Sequence, residues 1–102
     1  MIECIEYKEI FRLKEMLEKA NIPFVFKEHK DFRRGFQILY PADDGKSVCS
    51  VIEHDFSYGH NVDMLEIMGL LTTQEQKRDS VIGYLSAEDV FARIKKHYEK
   101  KY

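Results

Sequence analysis

The sequence predicts an α+β domain of two layers: a mainly antiparallel sheet of three to four strands, with N- and C-terminal helices packed together on one face. Three observations predict it. Amphipathic helical periodicity stands at both ends of the chain. Short β-type runs broken by turn residues fill the middle. The length of 102 residues is that of one compact domain, and no linker or repeat divides it.

The elements follow in order. The first helix is expected over Glu6 to Ala20, where Ile10, Leu13, Leu17 and Ala20 recur at helical spacing and Tyr7 and Met16 widen the stripe. Asn21 and Pro23 should end it, because Asn tolerates the left-handed cap and Pro cannot continue the ladder. Phe24 to Lys27 reads as a strand started by Pro23. Residues 30–35 read as a hairpin loop, and Phe36 to Tyr40 as its second strand, with Phe36, Ile38 and Tyr40 on one face. Pro41 to Lys46 contains Asp44-Gly45, a turn signal. The third strand, Ser47 to Phe56, has Val48, Ile52 and Phe56 at one parity and Cys49 and Val51 at the other. Apolar residues on both faces place it in the middle of the sheet.

Met64 to Leu71 admits two readings. Asp63 and Glu66 have capping-box spacing ahead of a helical face, yet Gly69 interrupts it and the preceding residues 57–61 read as a turn. A fourth strand pairing back on the third is the preferred reading. Thr72 to Asp79 is polar and is expected to be a loop. The last helix starts at Ser86, whose capping box is completed by Asp89, and buries Ala87, Val90, Phe91, Ile94 and Tyr98. Glu88 and Asp89 suit the positive end of its dipole, and Lys95, Lys96, Lys100 and Lys101 the negative end.

Composition narrows the function classes. With 44% hydrophobic and 33% charged residues the chain is neither disordered nor membrane-spanning. Acids in the first six residues are unlike a secretory leader, so the expected location is cytoplasmic. Two cysteines, Cys4 and Cys49, are too few for a disulfide framework. Sixteen basic against eighteen acidic residues give a net charge of −2, which argues against a dedicated DNA-coating role.

Residues 53–63 hold two imidazoles and three carboxylates. Strand parity sets His54 opposite Glu53 and Asp55, so the metal-ligand set that the turn could assemble is His54, His60 and Asp63. It matches no established zinc spacing, and local hydrogen bonding explains the same residues. Cys49 and His54 fall on opposite faces, which rules out a thiolate–imidazolium pair on a regular strand. Without a nucleophile elbow, phosphate loop or dinucleotide fingerprint, neither an enzyme nor a cofactor is expected. Lys27, Lys30, Arg33 and Arg34, interleaved with Phe32 and Phe36, form a basic hairpin that could grip nucleic acid, though Glu28 and Asp31 dilute it. Tyr58, Met64, Met68, Tyr84, Tyr98 and Tyr102 exceed what a core of this size must hide, and Tyr58, Met64, Met68 and Tyr84 are the candidates for a protein interface.

Three stretches carry a resemblance: 49–54 running into Ser57-Tyr58-Gly59, 65–71, and 83–91. Together they resemble small uncharacterised proteins encoded in phages and prophages of Gram-positive bacteria. The resemblance spans the second half of the chain and implies an accessory role in a phage context, without catalytic or binding residues. The function expected is therefore a non-enzymatic protein–protein interaction module, with a homodimer or another protein as partner and no membrane. The alternatives are nucleic-acid binding through Lys30, Arg33 and Arg34, and a metal-dependent enzyme built on His54 and His60.

Overall fold

Ile10, Leu13 and Leu17 line one helical face and are fully buried. They fix the side on which the first helix, α1 (Glu9–Lys19), meets the sheet. The computed structural model describes residues 7–30, 34–42 and 47–101. After α1 come β1 (Val25–His29), β2 (Gly35–Tyr40), β3 (Cys49–His54), a 3₁₀ turn at His60–Val62 and β4 (Leu65–Met68). Then follow α2 (Thr73–Arg78), β5 (Val81–Leu85) and α3 (Ala87–Lys101). Half of the hairpin loop at 30–35 and most of the turn at 41–46 lie outside the described residues.

The end of α1 follows the sequence expectation. Asn21 adopts φ 57°, its N–H donates to Glu18 O at 3.1 Å, and the Ile22 N–H donates to Leu17 O at 3.0 Å. This is a Schellman cap, and Ile22 is buried beside the helix it closes.

The strands form one antiparallel sheet in the order β1-β2-β3-β4-β5, each next to its sequence neighbour. β3 is central, as its two-faced apolar pattern predicts. Ile38 and Tyr40 of β2, Cys49 and Val51 of β3, and Leu65 and Ile67 of β4 all point to the face covered by α1 and α3. Burying each Leu or Ile of this kind contributes roughly 1.5–3 kcal/mol relative to exposure. The Tyr40 hydroxyl meets Nδ1 of His97 on α3 at 2.8 Å, so its polar tip is satisfied inside the core. At the rim, Phe11, Phe26 and Phe36 stack with centroids 4.7–5.6 Å apart.

Among the described residues, no helix covers the other face. Val25, Leu39, Ser50, Met68 and Val81 lie in one row across all five strands, and Lys27, Gln37, Ile52 and Glu66 in the next. Gln37 binds both His29 (3.0 Å) and Ser50 (2.8 Å) through its side chain. The face is mixed, as suits an antiparallel sheet with one side in water.

Two elements differ from expectation. The sheet has five strands where three to four are predicted, because β5 is short and broken by Gly83, which masks its alternation. Thr72 to Asp79, expected as a loop, contains α2. That helix buries none of its residues, so it leaves no apolar period to read. It is held by a Thr72–Glu75 capping box and by Arg93 of α3, which grips both Glu75 oxygens at 2.8 Å and the Leu70 carbonyl at 3.0 Å. The preferred strand reading of Met64 to Leu71 holds as β4. Asp63 does not cap a helix there but takes φ 56° and turns its side chain elsewhere.

Candidate functional site

Asp63 turns toward α1. Its Oδ1 accepts the backbone N–H groups of Lys8 and Glu9 at 2.9 and 3.1 Å. Glu53 of β3 reaches the same helix end, with Oε1 accepting the Ile10 N–H at 3.2 Å. Helix N-termini expose unpaired donors and a partial positive charge, so carboxyl groups are their natural complement. Lys8, the helix's own cap residue, makes no side-chain cap. Glu53 is fully buried. Burial, a hydrogen bond to Asp63 and the Asp63 charge push its carboxyl up to about 9, while the Ile10 N–H opposes them and the Glu9 charge adds to the rise. Burial acts to raise Asp63 too, but hydrogen bonds from Glu53, Glu9 and Lys8 outweigh it and hold the Asp63 carboxyl below its ordinary value. Beside this pair the Tyr7 hydroxyl donates to Asp55. Burial, that bond and the Asp55 charge raise the phenol well above its usual range.

A general acid must touch substrate. Glu53 has no exposed surface and Tyr7 is buried, so these two groups fasten elements together. In the sequence Glu53 is one carboxylate of the 53–63 cluster, with nothing local to mark it as buried except its parity with Cys49 and Val51.

The predicted metal set does not converge. His54 Nδ1 accepts the Phe56 N–H at 3.1 Å, His60 Nδ1 meets the Ser57 carbonyl at 2.7 Å, and Asp63 caps α1. Among the described residues no group of three or more His, Cys, Asp or Glu side chains is placed to hold a metal ion. In the basic hairpin, Lys30 is exposed at the end of β1 and Arg33 lies outside the described residues. Arg34 stacks over the Tyr7 ring (5.6 Å to its centroid) and reaches Asp55 at 3.4 Å. Cys49 is buried, and burial pushes its thiol up to about 12, away from reactivity.

The aromatic set behaves differently. Tyr58 and Tyr84 come together at one end of the sheet, 55% and 57% exposed, with Phe56 of the same turn 64% exposed. A β-bulge brings them there. The β4–β5 register shifts between Leu65 and Ile67, so Gly83 and Tyr84 together oppose Glu66. Tyr84 adopts φ 59°, a left-handed conformation that a bulky side chain holds only under constraint. Its N–H faces the Tyr58 carbonyl at 3.5 Å. Glu66 Oε1 accepts the Tyr58 N–H at 2.8 Å and fixes the turn. A Cβ on Gly83 would stand 2.2 Å from Cβ of Tyr58, so only glycine lets the two tyrosines approach. Met64 is half-buried next to Gly59, while Met68 is exposed further along β4 on the open face.

A depression over α2, lined by Thr72, Gln74, Glu75 and Arg78, offers no free acid, since Glu75 is committed to Arg93. No helix among the described residues is long and apolar enough to cross a membrane. No family model, curated protein or solved structure matches this chain.

Proposed function

We propose that this chain is a non-enzymatic protein-interaction module, working in the cytoplasm as an accessory protein of the phage or prophage kind. Its docking surface is the Tyr58–Tyr84 end of the sheet, with Phe56 at its margin, and its first partner is a second copy of itself. The observation that carries the reading is Tyr84. Backbone strain of order 1–3 kcal/mol is associated with such a conformation, and here it holds an exposed tyrosine whose backbone faces that of the exposed Tyr58, outside the buried core. Tyrosine brings large contact area with a polar tip and little rotamer entropy, which suits it to interfaces. An uncharged aromatic patch is also self-complementary, so a two-fold axis through it would bury each copy's rings against the other's.

Sedimentation velocity and native mass spectrometry across a wide concentration range test this. The wild type should form a concentration-dependent dimer of no added mass. A Tyr58→Ser, Tyr84→Ser double variant should stay monomeric with its Tm and circular dichroism unchanged. A wild type that remains monomeric at the highest concentrations, or a double variant that dimerises as well as the wild type, removes the proposal.

A further inference from the structure

We infer that Glu53 keeps its carboxyl proton at the helix end where Asp63 also binds, and that this proton latches the start of α1 to β3, so that the fold loosens as pH rises.

Two carboxylates repel each other and offer only acceptors. The carboxyls of Glu53 and Asp63 nevertheless meet at one helix end, on the successive amides of Lys8, Glu9 and Ile10, an arrangement that favours one of them keeping its proton. Asp63 is the one matched to negative charge, because its Oδ1 faces the amides of both Lys8 and Glu9. Glu53 is fully buried and receives one amide, from Ile10, on Oε1. No protein donor reaches its Oε2. A hydroxyl at Oε2 resolves that position, for it donates instead of accepting.

The surrounding charges favour the same assignment. From α1 and the residues just before it, Glu9 is ion-paired to Arg12 and bonded to the Ala87 amide, and Tyr7 is bonded to Asp55. From β2, Arg34 is directed at Asp55. Lys8 is exposed, and its charge acts on Asp63. Along β3 itself, His54 points to the opposite side of the strand. The charges that act most on Glu53 are acidic, those of Asp63 and Glu9. Together the two carboxyls account for three successive amides of α1, those of Lys8, Glu9 and Ile10, from two distant parts of the chain. Losing the Glu53 proton would set two negative charges against each other at the point where the helix is fastened.

The sign of the effect follows. The native state keeps this proton up to about pH 9, whereas an unfolded glutamate releases it near the ordinary carboxylate value. Between those limits the native state binds one proton more, so the folding equilibrium constant falls about tenfold for each pH unit of rise.

The test is urea unfolding of the wild type and Glu53→Gln at several values between about pH 6 and pH 8. Glutamine keeps a carbonyl for Ile10 and a donor for Asp63 but has no proton to lose. The ratio of the wild-type to the variant folding constant should fall about tenfold per unit, and the four histidines, common to both proteins, cancel. Parallel curves would overturn the inference. Should Glu53→Gln not fold, carboxyl ¹³C shifts of the wild type decide it. A Glu53 signal still protonated at neutrality supports the latch, and one titrating near the ordinary carboxylate value refutes it.

Discussion

The carboxylate of Glu9 accepts the backbone N–H of Ala87 at 2.5 Å, so the first turn of α1 caps the first turn of α3 across 78 positions of sequence. Arg12 extends the junction, binding Glu9 on its own helix at 3.0 Å and reaching Glu88 on the other. At its own start α3 adds the predicted capping box, Ser86 Oγ accepting the Asp89 N–H at 3.1 Å and Asp89 accepting the Ser86 N–H at 3.2 Å. Each helix is thus held at its N-terminus by side chains, and for α1 Glu53 and Asp63 supply them from far along the chain.

Glu9→Ala should therefore destabilise the protein by about 1–3 kcal/mol, the cost of leaving a buried amide without its acceptor. Glu9→Gln, which keeps an acceptor and loses the charge, should cost less. A lower urea midpoint with an unchanged m-value checks both.

Glu75 gives a second dependence on pH, of opposite sign to that of Glu53. Its bonds to Arg93, then the Thr72 amide, hold the carboxyl down to about 2. The pair's contribution is complete above the ordinary carboxylate value and is lost as pH falls from there toward that level. Arg93→Ala should cost about 1 kcal/mol near neutrality and progressively less in acid. Hydrogen exchange should show the amides of α2 opening first, since that helix buries nothing of its own.

Tyr84→Asn should raise stability by up to about 1 kcal/mol while weakening self-association, because Asn accepts the left-handed conformation more readily than a bulky ring. Gly83→Ala should do harm on both counts by driving a methyl group into Tyr58, at about 1–3 kcal/mol. Thermal denaturation alongside sedimentation separates the two effects. A Tyr84→Asn variant less stable than wild type would show that the ring supports the fold.

In a Cys4→Ser background, Cys49 should resist a thiol reagent until denaturant is added, and the rate of labelling should follow unfolding. Fast native labelling at neutral pH would contradict its burial and its raised pKa.

Features that repeat locally are legible in the sequence. Helical periodicity with Asn21-Ile22-Pro23 located α1 and its end, and the Ser86–Asp89 box with its apolar stripe located α3. Apolar residues at both parities of 48–52 put β3 at the centre. Such signals are short-ranged, fixed by backbone conformation and by one face seeking burial. The tertiary structure alone decided the rest. α2 has no buried face and rests on Arg93, eighteen positions beyond Glu75. The Gly83–Tyr84 bulge, which aims Tyr84 beside Tyr58, depends on the register of β5 against β4. Glu53, Asp63 and Glu9 look like surface acids until the fold brings helix N-termini to meet them. A carboxyl's role is set by the donors and charges that surround it, and those arrive from residues tens of positions away.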